Sequence, residues 1–299
     1  MADSMAELLT SAQNPKFKRL VALREKSRLR RDEGVFVVEG RRELEHCLEA
    51  GFEVETVFVC PEIADSAAGA TLPSGVRPAD SPHHPSGAVP PLPNRGCYVP
   101  QGEYPRSLGP KTFELSKELY AKVAYREGTE GVLAIVRSRK LRLEDLKLGS
   151  KPLIMVLEGV EKPGNLGAVL RSADAAGADA VIVCDPLTDL WNPNLIRASI
   201  GAVFTVPTVC CSSQEAIAWL KARGIRILTA QLQDSSAYYD CDMTGPTAIV
   251  MGTEATGLTD PWRQAADAHV LIPMLGRLDS LNVSVSAAIL LYEAVRQRQ

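Results

Sequence analysis

The sequence is poor in the residues that metal sites and nucleophilic hydrolases need. Its 299 residues include only four histidines, and two of them, His83 and His84, are adjacent in a proline-rich stretch. The seven cysteines form no Cys-x-x-Cys pair. A zinc site or a Ser-His-Asp triad therefore has few candidate residues, and we expect no metal. The cysteines are expected to be reduced thiols that are mostly buried.

Long apolar runs are also absent from the sequence. No apolar stretch approaches the roughly 20 residues that span a bilayer. Residues Met1–Thr10 lack the basic start and apolar run of a secretory leader. Hydrophobic residues make up 45% of the chain and charged residues 23%. These features predict a globular, cytoplasmic protein with no membrane partner.

Charge is unevenly distributed along the chain. The net charge of −3 and the isoelectric point near 5.9 argue mildly against a nucleic-acid partner. Between Asn14 and Arg31, however, the sequence contains eight basic residues and one acidic residue, Glu25. Such a run is most often a solvated helix face, but it becomes a phosphate-contacting surface if other features indicate RNA. The candidate RNA-binding residues are Lys16, Lys18, Arg19, Arg28, Arg30 and Arg31.

Two composition breaks divide the chain. Eleven of the twenty prolines lie between Pro61 and Pro110, which predicts a long irregular insertion. Residues 138–150 are polar and basic and are typical of an interdomain linker. We therefore predict a first domain at residues 1–137 and a second at 151–299.

Both domains are predicted to be α/β. The first, smaller domain has strands and helices that include a helix at Phe113–Val123. In the second, unbroken apolar strands alternate with helices, which predicts a parallel sheet covered on both faces. One of these strands is expected at Phe204–Thr208.

The first strand of the second domain leads into a glycine-bearing turn and a helix that carries Asn165-x-Gly167-x-x-x-Arg171. A dinucleotide-binding fold offers a similar turn, with an acid such as Asp185 at the end of the next strand. The Gly-x-Gly-x-x-Gly fingerprint is absent and Pro186 follows the acid at once. The dinucleotide-binding interpretation is therefore the weaker one.

Two further motifs follow in the second domain. Gly252-Thr-Glu254-Ala-Thr-Gly257-Leu ends a buried strand, where two glycines permit a tight turn near a ligand. The segment from Ile272-Pro-Met274 to Ser280-Leu281-Asn282-Val-Ser284 combines a strand, a loop and the start of an apolar helix. Ser280, Asn282 or Ser284 are each suited to cap that helix.

In order and spacing, the three motifs closely resemble those of the SpoU (TrmH-like) branch of the SPOUT superfamily of RNA 2′-O-ribose methyltransferases. The resemblance covers residues 152–297, although many members have glycine where this chain has Ala255. Asn14-Pro-Lys16 and Phe36-Val-Val-Glu-Gly40 are similar, more weakly, to the substrate-binding domain of two-domain members. That domain resembles small ribosomal RNA-binding proteins.

The resemblance implies a fold, a cofactor and a partner. The second domain would contain a deep trefoil knot, a rare exception to unknotted topology, and would form a homodimer with the cofactor sites near the interface. S-adenosylmethionine would be held by backbone groups of the motif glycine and of the loop. The implied cofactor-binding residues are Gly252, Ile272, Met274, Leu281 and Asn282.

The resemblance also implies a set of catalytic residues, namely Arg171, Asn165, Glu254, Ser280 and Asn282. The family's arginine has been assigned as the base, but a neutral guanidinium at pH 7 costs about 8 kcal/mol. A charged Arg171 that binds a neighbouring phosphate and stabilises the developing alkoxide is physically easier. For Ser280 and Asn282, helix capping and substrate contact remain open alternatives.

The function predicted from the sequence is S-adenosylmethionine-dependent RNA 2′-O-ribose methylation. Ribosomal RNA is favoured over transfer RNA because the first domain resembles a ribosomal-protein module. The alternatives are a transfer-RNA methyltransferase, a non-catalytic RNA-binding or ribosome-assembly protein with the same fold, and a nicotinamide-dependent oxidoreductase.

Overall fold

The structure is a computed structural model that describes residues 6–68, 111–125, 130–253 and 256–299. By their contacts, the residues divide into two compact units. One comprises Met1–Glu25 and Val37–Arg137, and the other Lys26–Phe36 and Ser138–Gln299. The insertion predicted at residues 61–110 falls outside the described residues from residue 69 onwards.

The first ten elements along the chain are short. The strands are β1 (Glu7–Leu9), β2 (Val35–Glu39), β3 (Val54–Val59), β4 (Thr112–Leu115) and β5 (Val132–Arg137), and the helices are α1 (Pro15–Glu25), α2 (Ser27–Glu33), α3 (Arg41–Glu49), α4 (Pro61–Ala68) and α5 (Lys117–Val123). Within the described residues, the five strands form one mixed sheet in the order β1-β4-β3-β5-β2.

The helix predicted at Phe113–Val123 is wrong in its first half. Residues Thr112–Leu115 form β4, which pairs in parallel with both β1 and β3. The helix begins after Ser116, whose hydroxyl accepts a hydrogen bond from the Leu119 N–H at 3.4 Å. Ser116 therefore ends the strand and caps the helix.

The second half of the chain alternates strands and helices. The strands are β6 (Leu153–Glu158), β7 (Ala180–Cys184), β8 (Thr208–Cys211), β9 (Arg226–Ala230), β10 (Ser236–Ala237), β11 (Thr247–Met251) and β12 (Ala268–Leu271), and the helices are α6 (Pro163–Ala175), α7 (Pro193–Ser199), α8 (Ala202–Thr205), α9 (Ser213–Ala222), α10 (Asp260–Ala265) and α11 (Val283–Arg298).

Among the described residues, these seven strands form one sheet in the order β10-β12-β9-β11-β6-β7-β8. The strand pairs are parallel, so the predicted parallel sheet is confirmed. Its central strands are buried along their whole length, because helices cover both faces. One side of the core is built around Trp262, Leu220, Ile182 and Val250.

The strand predicted at Phe204–Thr208 is wrong. Ala202–Thr205 is a helix and the strand begins at Thr208. Gly201 precedes the helix with φ 86°, a conformation that glycine adopts without strain. Phe204 then packs against the ring of Trp191, with ring centroids 6.4 Å apart. This tertiary contact, rather than the local pattern, decides the conformation.

Segment Lys26–Phe36 belongs to the unit that contains the parallel sheet, whereas the sequence placed it in a first domain of residues 1–137. Two contacts explain the difference. Arg30 Nε is 2.7 Å from the Asp189 carboxylate, and the Phe36 ring stacks on Trp191 with centroids 4.3 Å apart.

Helices of the described residues are all too short or too polar to cross a membrane.

Candidate functional site

A cleft of about 680 Å³ opens where β9, β11 and β12 end. The carboxyl ends of parallel strands meet at one edge of a sheet, which is where ligands of open α/β sheets bind. The cleft is lined by residues that follow each strand and by the loop that precedes α11. It brings together the five residues expected to hold the cofactor, namely Gly252, Ile272, Met274, Leu281 and Asn282.

At Gly252 the chain passes close to the backbone of Gly257 and Leu258. A Cβ atom at this position would be 2.2 Å from the carbonyl carbon of Gly257, so a larger residue does not fit the turn. The turn is closed by Thr253 and Gly257, whose backbones exchange hydrogen bonds of 3.2 and 3.1 Å. Glu254, which the sequence assigned to catalysis, lies outside the described residues.

Asn282 joins two parts of the site. Its side-chain oxygen accepts a hydrogen bond from the Ser284 N–H at 3.0 Å and caps α11. Its Nδ2 donates to Oδ1 of Asn165 at 3.2 Å, although the two residues are far apart in sequence. Capping and site assembly are therefore roles of the same side chain. Ser280 lines the cleft, and its hydroxyl donates to Asp279 at 3.3 Å.

A second, smaller cavity adjoins the cleft. It is lined by the turn between β6 and α6, and it shares three residues with the cleft, namely Gly252, Thr253 and Val283. Asn165 lines the smaller cavity and Asn282 lines the cleft. The hydrogen bond between these two side chains therefore bridges the cavities, an arrangement that suits two ligands held side by side.

Helix α6 carries the rest of the first motif. Gly167 packs against α7, and a Cβ atom there would be 2.6 Å from the Leu195 carbonyl oxygen, so the motif glycine is required by helix packing. Arg171 is exposed. Within the described part of the chain, its guanidinium has no ion pair and lines neither cavity. The structure therefore brings Asn165 and Asn282 together but does not bring Arg171 to them.

The basic residues near the N-terminus differ in their surroundings. Lys16 pairs with Glu7, and Arg28 lies 3.5 Å from Asp32 on an exposed helix face. Arg19 pairs with Glu55 at 2.7 Å, and its hydrogen bond holds the pKa of the Glu55 carboxyl below the usual value. Lys18 and Arg31 are exposed and, among the described residues, have no ion pair.

The prediction that Arg30 contacts RNA is not consistent with the position of its side chain. Its side chain is 2% exposed and pairs with Asp189, which is itself 8% exposed. A guanidinium that is buried in an ion pair is not accessible to an RNA phosphate. Its partner is 159 residues away in the sequence, so the basic run gave no sign of this role.

Replacing Arg30 by alanine is expected to lower the free energy of unfolding by about 3–5 kcal/mol, because the Asp189 carboxylate is left buried without its partner. Urea unfolding measures the effect. Arg31→Ala, at the adjacent exposed arginine, is the matched control and should change stability by less than about 0.5 kcal/mol. Equal effects in the two variants would contradict a structural role for Arg30.

Asp185, the acid of the dinucleotide-binding interpretation, is engaged elsewhere. Its carboxylate accepts hydrogen bonds from the hydroxyl of Ser213 at 2.6 Å and from its N–H at 3.1 Å. Ser213 also contacts the buried Glu158 at 3.0 Å and accepts a hydrogen bond from Trp262 Nε1 at 3.0 Å. This network ties β6 and β7 to α9 and α10. Asp185 therefore has a structural role in this network, which does not favour the dinucleotide-binding interpretation.

None of the described cysteines lines the cleft. Cys184 on β7 is paired in register with Cys211 on β8, and the hydrogen bond to Cys211, together with burial, raises the pKa of the Cys184 thiol far above its usual value. Neither Cys47, Cys60 nor Cys184 is exposed to solvent. Across the described residues, no cluster of three or more His, Cys, Asp or Glu is arranged to hold a metal.

The cleft fits the cofactor that the motifs imply. Its volume of about 680 Å³ lies in the usual range of roughly 300–1,000 Å³ for small-molecule sites. The close approach of Gly252 to Gly257 leaves backbone groups, rather than side chains, on one wall. Ile272, Met274 and Leu281 supply apolar contact for a flat ring. These residues would hold S-adenosylmethionine.

Several polar residues of the cleft were not predicted from the sequence, among them Gln231 and Arg263. Gln231 follows β9 and Arg263 lies on α10, and both line the cleft. Neither residue belongs to a motif. In the sequence, the available signals for a role in the site were that Gln231 follows a sheet strand and that Arg263 lies in a crossover helix. Lys162 and Glu161, which line the smaller cavity, were also not singled out.

Comparison with known proteins agrees with the motifs. Residues 152–292 match the SpoU rRNA methylase family, and residues 14–79 match the MRM3-like substrate binding domain. The 23S rRNA (guanosine-2′-O-)-methyltransferase RlmB of Pseudomonas putida is 39% identical over 184 residues, which cover 59% of this chain and 74% of that protein. RlmP of Bacillus subtilis, a 23S rRNA (guanosine(2553)-2′-O)-methyltransferase, is 30% identical over 62% of this chain and 72% of its own length.

Solved structures match almost the whole chain. An RNA 2′-O ribose methyltransferase superimposes with a TM-score of 0.75 and 36% identity, covering 98% of this chain and 99% of that chain. The SpoU methyltransferase AviRb from Streptomyces viridochromogenes, solved in complex with AdoMet, gives a TM-score of 0.78 with 27% identity, over 96% of this chain and 98% of that chain. Together with the motifs and the shared sheet, these matches show that the chain belongs to the SpoU rRNA methylase family.

Proposed function

We propose that this chain transfers a methyl group from S-adenosylmethionine to a ribose 2′-oxygen of ribosomal RNA. The observation that carries the proposal is the pair of adjoining cavities that share Gly252, Thr253 and Val283. Such a pair suits a methyl donor in the larger cleft and an acceptor ribose in the smaller cavity. The relatives named as 23S rRNA 2′-O-methyltransferases favour ribosomal RNA as the substrate, and hence a cytoplasmic location.

The residues divide the work of this reaction. S-adenosylmethionine, when bound, supplies an electrophilic methyl group. Asn165 and Asn282, bridged at 3.2 Å, orient the acceptor ribose relative to the loop. Arg171, exposed on α6, binds an RNA phosphate and stabilises the developing alkoxide, while water or phosphate takes the proton. We assign Glu254 and Ser280 to orienting the substrate and the loop.

The N-terminal residues select the RNA in this proposal. The match to a substrate binding domain covers residues 14–79, which include the exposed Lys16, Lys18 and Arg28 and the partly exposed Arg19. Arg31 is also exposed. Basic side chains of this kind contact phosphates and give affinity that falls with salt.

We also propose that the chain forms a homodimer and that its C-terminal segment is threaded as a trefoil knot. On α11, Val285 and Tyr292 are exposed at 47% and 50%. They are two helical turns apart and so lie on one face. Leu275 and Leu278 of the cofactor loop are exposed at 99% and 78%. Apolar residues exposed in this way suit a subunit interface close to the cleft.

Replacing both Val285 and Tyr292 by aspartate is expected to convert the dimer to a monomer, because two charges would be buried without partners. Light scattering coupled to gel filtration measures the mass. Leu187→Asp is the matched control, since Leu187 is 66% exposed and lies off α11. A dimer that survives the double replacement, or a wild-type monomer, would remove α11 from the interface.

The proposed function is tested with labelled S-adenosylmethionine and separate pools of ribosomal and transfer RNA. We expect label in ribosomal RNA, at a ribose that can then be mapped. Label in transfer RNA alone would overturn the substrate assignment. Tight RNA binding without any methyl transfer would favour the non-catalytic alternative.

A further inference from the structure

Two buried polar atoms without hydrogen-bond partners belong to residues that line the cofactor cleft. Among the described residues, Gln231 Oε1 and Arg263 Nε are buried side-chain atoms that lack a hydrogen-bond partner, and both residues line this one cleft. Buried polar groups are nearly always paired, so an unpaired one marks a site that a ligand completes. The two atoms form a complementary set of one acceptor and one donor.

The nitrogen end of the Gln231 side-chain amide is already hydrogen-bonded. Its Nε2 donates to the Gln233 carbonyl oxygen at 2.9 Å, so Oε1 is the end left for a ligand. The Gln231 backbone N–H donates to the Val270 carbonyl oxygen at 3.1 Å, and Leu271 and Ile272 line the same cleft. A lone acceptor in a cleft with these apolar residues suits a flat heterocycle with an exocyclic amino group.

Arg263 occupies a different part of the cleft. Its Nη2 is 3.8 Å from the position of a Cβ on Gly257, at the glycine turn. Among the described lining residues it is the one basic side chain. Its contact with Asp260 is long, at 3.9 Å, and that carboxylate is 81% exposed. The guanidinium is therefore available to an anionic ligand group such as a carboxylate.

We infer that Gln231 and Arg263 bind the two polar ends of S-adenosylmethionine. Gln231 Oε1 accepts a hydrogen bond from the adenine amino group, and Arg263 pairs with the methionine carboxylate. Both atoms are buried, so each side chain must turn for its unpaired atom to reach the cofactor. The inference rests on the proposed function, because it presupposes this cofactor.

Calorimetric titration of the full chain with ligand analogues separates the two contacts. S-adenosylhomocysteine carries both groups, 5′-methylthioadenosine lacks the carboxylate, and S-inosylhomocysteine lacks the adenine amino group. In the wild type, removal of either group is expected to weaken binding about tenfold.

Each variant should remove one of these two differences in affinity. In Arg263→Gln, S-adenosylhomocysteine should lose its advantage over 5′-methylthioadenosine, and in Gln231→Leu the adenosyl and inosyl ligands should bind equally. Damage to the fold lowers all affinities together and leaves the ratios unchanged. Gln233→Leu, on the same cleft wall, should keep both ratios.

Wild-type ratios in both variants would overturn the inference while leaving the proposed function intact. Failure of the wild-type chain to bind S-adenosylhomocysteine at all would overturn the proposed function itself.

Discussion

Replacing Arg171 by lysine is expected to lower turnover on the order of 100-fold, the usual effect of removing one donor that stabilises a developing oxyanion. Lysine keeps the charge but not the planar fork, so it cannot bind a phosphate oxygen pair and the alkoxide in one geometry. Affinity for S-adenosylhomocysteine should not change, because Arg171 does not line the cofactor cleft. Single-turnover methylation and calorimetry measure the two effects.

The fold should tolerate this substitution. Arg171 is exposed and, within the described residues, forms no ion pair that lysine would break, so stability should stay within about 0.5 kcal/mol. Arg42→Lys, at an exposed arginine of α3, serves as the matched control and should keep full turnover. Normal turnover in Arg171→Lys would exclude the proposed role of the fork.

Replacing Gly252 by alanine should produce the opposite pattern, in which cofactor binding is lost first. The new Cβ would be 2.2 Å from the Gly257 carbonyl carbon and 2.5 Å from the Leu258 nitrogen, so the turn must open. Overpacking of this kind costs about 1–3 kcal/mol. If this cost is subtracted from the free energy of cofactor binding, affinity falls roughly 10–100-fold. Calorimetric titration with S-adenosylhomocysteine measures it.

The control for Gly252→Ala is the same change at Gly149, where a Cβ atom would have no neighbour within 4 Å. Gly149→Ala should bind the cofactor product as the wild type does. An alanine at position 252 that left affinity unchanged would show that the glycine turn is not a wall of the cofactor site.

The parts of the fold that the sequence predicts well are those with a local signal. The apolar strands β6, β7 and β11 are buried along their length, so their composition alone identified them and the parallel sheet. The prediction of a helix at Phe113–Val123 was wrong in its first half because β4 is stabilised by pairing with β1 and β3. Pairing partners distant in the sequence leave no trace in a local pattern.

The candidate site shows the same division. Gly252 and Asn282 were identified because they belong to motifs with a characteristic order and spacing along the chain. The structure places both residues in one cleft. Arg30 was misassigned because its partner Asp189 is far away in sequence. Gln231 was missed because its unpaired oxygen is a property of packing. Charge and polarity are visible in a sequence, whereas burial and pairing are not.

The proposed reaction transfers a methyl group to a ribose oxygen rather than to a base. Its most direct test is mass spectrometry of the nucleosides released from ribosomal RNA after reaction with S-adenosylmethionine that carries a deuterated methyl group. We expect one 2′-O-methylated nucleoside with the label on the ribose, and loss of that product in Arg171→Lys. Label on a base, or no label in ribosomal RNA, would contradict it.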